Sequence, residues 1–180
     1  MDKAQIIAFV GVSLLVVVFS WFVSIKHGRY HGIARFFAFE SIALMVILDL
    51  KYWSVDPFSP LQLISWVLLC ASIYVAAAGF ILLVKLGKPK KNLVEFEDTS
   101  KLVTTGMYKY IRHPLYASLL LLGFGVFFKK IETAQVILVI INTAALYITA
   151  SMEEGEMIKG FGDEYREYMK KSKMFIPFLF

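Results

Sequence analysis

Cysteine, proline and charge are scarce in this 180-residue chain. There is one cysteine, Cys70. A lone thiol excludes a disulfide framework within the chain and a cysteine-built metal site, and no metal is expected. Cys70 sits inside an apolar run and reads as a small buried apolar residue. Charged residues are 18%, below the roughly one quarter of a soluble domain. Short alternating segments are missing, which excludes a transmembrane β-barrel. The low hydrophobicity that disorder requires is missing too. What is present is apolar residue, 58% of the chain, gathered in long blocks. The expectation is an all-α, polytopic membrane protein.

Five apolar segments appear, at about 4–25, 36–50, 61–84, 115–128 and 134–152. The first exceeds the ~7–15 residues of a signal-peptide core, and its basic residues follow rather than precede it, so it reads as a retained membrane helix. The second and fourth are short. Only residues 129–133 separate the fourth from the fifth, which implies a C-terminal helical hairpin. Small residues of the third segment, among them Ser72 and Gly79, suit close helix packing in lipid. Glu40 and Asp49 lie in the second segment. Glu40 is placed to pair with Arg35 or Arg29, and Asp49 to reach the interface beside Lys51.

The net charge is +5. With the N-terminus outside, the loop at 26–35, the connector at 85–113 and the tail from 153 hold fifteen basic residues, against Lys3, Lys51, Lys129 and Lys130 on the other side. That asymmetry predicts a multi-pass protein with its C-terminus in the cytosol. It also accounts for the positive charge through topology and anionic lipid, without nucleic acid.

The cytosolic segments carry the chemistry. Pro114 disfavours a helical His113 and suits the first turn of a helix. Arg112 and His113 therefore stand at a helix start, where N–H groups favour an anion; anchoring at lipid headgroups is the plainer alternative. Glu153 and Glu154 sit where the fifth segment leaves the membrane. At about 100° per residue they cannot both face one point, so one faces a site and the other solvent or a basic residue. Phe161, Tyr165, Tyr168 and Met169 form the apolar face of an amphipathic helix. The apolar tail 174–180 must be buried in protein or in the interface.

Gly106-x-Tyr108, then Arg112-His113-Pro114-x-Tyr116, a hairpin, then Glu153-Glu154 and Phe161-Gly162-x-Glu164-Tyr165-x-x-Tyr168, resembles the isoprenylcysteine carboxyl methyltransferase and phospholipid methyltransferase superfamily of integral-membrane enzymes. The resemblance covers about 93–177. It implies S-adenosylmethionine as cofactor, a methyltransferase core at 91–180, and three preceding transmembrane helices at 1–90. By motif, the cofactor pocket would use Ser100, Lys101, Leu102, Val103, Tyr108, His113, Pro114, Leu115, Tyr116 and Glu153. The hydrogen-bonding groups near His113 suit the cofactor carboxylate. Glu153 suits its ammonium or a ribose hydroxyl, and Leu102, Val103 and the tyrosines suit adenine. His113 and Glu154 are the candidate bases for an acceptor that must lose a proton. The chain departs from the isoprenylcysteine enzymes at Ser100, where they carry His, and at Thr149, where they carry the Arg expected to hold the substrate carboxylate. Another lipid, or a small apolar molecule, is left as acceptor, entering sideways from the bilayer. The competing readings are an NADPH-dependent membrane reductase of sterol-reductase type and a non-catalytic membrane protein. Five helices without an inverted repeat speak against transport.

Overall fold

The computed structural model describes residues 1–87 and 100–179. Six α-helices run through them: α1 (Lys3–Val23), α2 (His31–Asp49), α3 (Pro60–Gly87), α4 (Pro114–Phe127), α5 (Thr133–Phe161) and α6 (Asp163–Lys171). Among the described residues there is no strand, only one isolated parallel bridge between Ile111 and Lys173. The all-α expectation holds. Lys88, Lys90, Lys91 and the expected division at 90/91 lie outside the described residues.

The helices α1, α3 and α5 are long and apolar enough to cross a membrane, while α4 is apolar but shorter. Asp2 caps α1 in a reciprocal box with Gln5. Within α1 only Ser20 and Val23 are buried, so nearly the whole helix is apolar and outward-facing, as a lipid-exposed span requires. In the bundle α2 packs between α1 and α5, and α4 between α3 and α5. Polar side chains bind across these seams. The Ser72 hydroxyl donates to Ser118 O (2.8 Å), that of Ser65 to Gly125 O (2.6 Å), and Asn142 Nδ2 to Ala38 O (3.2 Å). At Gly79 a Cβ would stand 3.1 Å from Pro114 Cβ, so the missing side chain lets α3 close on the start of α4.

Three expectations are corrected. Cys70 is exposed on the outer face of α3, not buried, because apolar faces here meet lipid instead of a core. Asp49 is fully buried and accepts from Gln135 Nε2 at 2.7 Å; it turns inward onto α5 and does not reach the interface. Glu40 accepts from Ser13 on α1 at 2.7 Å, while Arg35 donates to Ser24. The fifth helix also outruns its apolar segment by nine residues, to Phe161. Glu, Met and Lys sustain a helix in water as well as apolar residues do in lipid. It stops at Gly162, after which α6 begins.

Candidate active site

One end of the bundle holds a cavity built from α3, the connector before α4, the starts of α4 and α6, and the C-terminal third of α5. It encloses about 640 Å³, its open mouth included.

The connector shapes the near wall. Ser100 and Lys101 donate their backbone N–H groups to Gly87 O and so close the end of α3. Gly106 takes φ +62°, which opens the single turn Gly106–Lys109 and sends Tyr108 inward. The chain then extends through Tyr110 to His113 and is clamped by the tail. Lys173 N–H donates to Tyr110 O (2.9 Å), Arg112 N–H to Lys173 O (2.8 Å) and His113 N–H to Met174 O (3.2 Å). Those two N–H groups are therefore spent on the tail. The Tyr168 hydroxyl donates to Tyr108 O at 2.5 Å and ties α6 to the connector.

Charge at the site is concentrated in four side chains. Arg112 Nε donates to Glu154 Oε1 at 2.6 Å, and its Nη1 reaches Ser172 O and Met169 O. His113 Nε2 lies 3.3 Å from the same Glu154 oxygen, and its Nδ1 lies 3.8 Å from Glu153 Oε2. The imidazole thus stands between two carboxylates that the helix splays apart, each reached by a different ring nitrogen. It stacks on Tyr116 (centroids 5.6 Å apart, planes 22°) and meets Phe175 from the other side (6.2 Å). Glu153 Oε2 is buried and makes no hydrogen bond. An unused buried acceptor in a cavity wall is expensive unless something fills the cavity.

Three tyrosines close the site. Burial, reinforced by nearby Glu153, pushes the Tyr108 hydroxyl well above its ordinary pKa. Burial, together with Glu154 and Glu153, does the same for Tyr165. Burial pushes Tyr168 up to about 12. All three keep their protons at working pH and act as neutral donors or apolar walls.

Of the residues singled out in the sequence, the cavity brings together Leu102, Val103, Tyr108, His113, Pro114, Leu115, Tyr116 and Glu153. Ser100 and Lys101 do not line it. Glu154 stands behind the wall, paired with Arg112 and His113. The lining also includes Leu83, Arg112, Met157, Tyr165 and Tyr168. Met157 follows Glu153 by one helical turn, a signal available once α5 is known to continue. Tyr165 and Tyr168 were legible as an apolar face but not as a cavity wall. No group of three or more His, Cys, Asp or Glu suited to a metal occurs among the described residues.

The model of the isoprenylcysteine carboxyl methyltransferase family matches residues 63–159. The chain is 30% identical over 155 residues to methanethiol S-methyltransferase 1 of Bradyrhizobium diazoefficiens, covering 77% of this chain and 52% of that protein. It is 26% identical over 156 residues to methanethiol S-methyltransferase of Crocosphaera subtropica, covering 78% and 59%. It is 30% identical over 90 residues to "Probable protein-S-isoprenylcysteine O-methyltransferase" of Oryza sativa subsp. indica, covering 48% and 46%. The chain thus spans between half and three fifths of the length of the first two relatives. No solved structure matches it.

Proposed function

We propose that this chain, which belongs to the isoprenylcysteine carboxyl methyltransferase family, is an integral-membrane methyltransferase that uses S-adenosylmethionine and a small apolar or lipidic acceptor. The observation that carries the reading is Glu153 Oε2, a buried acceptor that makes no hydrogen bond and lies 3.8 Å from His113 Nδ1, in a wall that is mostly apolar and aromatic. A ligand with a cationic or hydroxyl-bearing end and a flat apolar face complements that arrangement. S-adenosylmethionine has both, so the residues fit it.

In this reading Glu153 holds the ammonium or a ribose hydroxyl, and Leu102, Val103 and Tyr108 receive the adenine. The carboxylate falls to the first turn of α4 beyond Pro114. When bound, the sulfonium supplies an electrophilic methyl group. The protein's part is to hold the acceptor in line and to exclude water. Tyr165 and Tyr168 form the roof that does so.

The acceptor follows from Thr149. It is fully buried, and its hydroxyl donates back to Ala145 O at 2.7 Å, within its own helix. Arg112, the cation in the lining, is committed to Glu154 and two carbonyls. Neither residue offers a free charge to a carboxylate, which favours an uncharged acceptor. A thiol fits, and it agrees with the printed names of two relatives. Its proton would pass to His113, and Glu154 Oε1 would stabilise the imidazolium from Nε2. The basic-residue asymmetry supports a cytosolic location for this end of the bundle. The relatives reported above are methyltransferases by name, so the reductase alternative finds no support in them.

Thermal unfolding of the purified protein with S-adenosylhomocysteine or NADPH tests the cofactor. At about 100 times its dissociation constant, a specific ligand stabilises by ~2.7 kcal/mol. Stabilisation by S-adenosylhomocysteine is expected. Stabilisation by NADPH alone would overturn the proposal.

A further inference from the structure

Downstream of the segment that clamps His113, the tail ends in open apolar residues. Phe178 is 80% exposed and Leu179 78%, and Ile176 is exposed as well. The Phe178 ring lies 5.9 Å from that of exposed Tyr110, so the four form one patch. Lys109, exposed, holds its ammonium 5.7 Å from the Tyr110 ring, and exposed Lys173 opens the tail. Apolar and aromatic residues rimmed by cations suit an anionic lipid surface.

Two rulers place this patch at the bilayer boundary. The far end of α4 is marked by Lys129, whose ammonium sits 3.4 Å from the Trp66 ring centroid and 5.1 Å from that of Trp53. Tryptophan and lysine together mark a membrane interface. From there, the 14 residues of α4 rise only about 21 Å, and tilt shortens this further. A hydrocarbon core of about 30 Å therefore extends past Pro114 to the level of the chain before it. On α5, about 30 Å from Thr133 ends near Glu153, whose neighbour Glu154 binds Arg112. Both rulers reach the level of Arg112 and His113, and Tyr110 and the tail lie against that segment.

We infer that Tyr110 and residues 176–179 are an anchor that inserts into the headgroup–acyl boundary of an anionic membrane. The anchor holds residues 173–175, and with them Phe175, against His113. Tail and site are then one mechanical unit with the bilayer. This inference does not depend on methyl transfer.

The test uses the full chain, with Cys70→Ser removing its single thiol and a nitroxide attached at Phe178→Cys. The protein is placed in vesicles of phosphatidylcholine with phosphatidylglycerol. A second label at Glu167→Cys, on the exposed face of α6, is the aqueous control. Collision with oxygen should exceed collision with a water-soluble nickel chelate several-fold at 178, and the order should reverse at 167. Adding Lys109→Gln and Lys173→Gln should raise nickel access at 178. Nickel preference at 178 would overturn the inference. So would a label shielded from both reagents, which would mean that protein covers the tip. Equal depth in pure phosphatidylcholine would overturn the preference for anionic lipid.

Discussion

The two ends of the bundle both bury charge, and they do so differently. At the cavity end, Arg112, His113 and Glu154 satisfy one another and the tail carbonyls, and Glu153 Oε2, in the cavity wall, makes no hydrogen bond. At the far end, Lys129 donates to Gln62 Oε1 at 3.0 Å and is covered by two indoles, and Gln62 Nε2 returns a bond to Lys129 O at 3.1 Å. Asp49 Oδ2 and Gln135 Oε1 also lack partners there, but neither lines the cavity. Buried charge alone does not mark a site. An unspent polar atom facing space does.

The hardest test of that contrast is Arg112→Ala. It leaves Glu154 buried with only His113 beside it and releases the carbonyls of Met169 and Ser172. Breaking a buried pair costs about 3–5 kcal/mol. Denaturation in detergent should show this loss, and the double variant Arg112→Met with Glu154→Leu should recover much of it. A cost below that of Lys129→Met would break the comparison.

Glu153→Gln should do the reverse, sparing stability and weakening the ligand. A hydrogen bond to a charged group contributes about 1.5–3 kcal/mol, so S-adenosylhomocysteine affinity should fall roughly 10- to 150-fold. Calorimetric titration measures it. Unchanged affinity would remove Glu153 from the site.

Tyr168→Phe sharpens the picture of the roof. Losing the bond to Tyr108 O should cost about 1 kcal/mol. The same tyrosine gives a pH signature. Its folded pKa of about 12 lies above its ordinary value of 10, so the unfolded chain releases that proton first. Its contribution to stability is whole below about pH 10 and falls as pH rises toward about 12. Tyrosinate absorbance followed with alkaline unfolding should show Tyr108, Tyr165 and Tyr168 ionising only as the protein unfolds.

The five apolar segments and the hairpin were legible in the sequence as helices, and three of them, α1, α3 and α5, have the length and apolarity that lipid imposes on a span. Pro114 announced the start of α4 locally. The misread positions are those fixed by distant partners or by the nature of the solvent. Asp49 meets Gln135 across 86 residues of sequence. Cys70 faces outward because lipid, unlike water, does not drive an apolar side chain inside. The tail's clamp on residues 110–113 is made by backbone atoms, to which side-chain patterns are blind.

The smallest expected effect is at the far end. Lys129→Met keeps the length of the side chain and its packing on Trp66 while removing the charge. It forfeits a cation–π contact worth about 0.5–2 kcal/mol and the bond to Gln62. Burial, however, already disfavours the charged lysine and lowers its pKa, so removing the charge also removes that penalty. The two terms oppose, and the net change should stay within about 1 kcal/mol. Affinity for S-adenosylhomocysteine should be unchanged, because the whole length of α4 separates Lys129 from His113. A large loss of affinity measured alongside an intact fold would mean that the two ends communicate through α4, and the division between an inert clamp and a working site would have to be withdrawn.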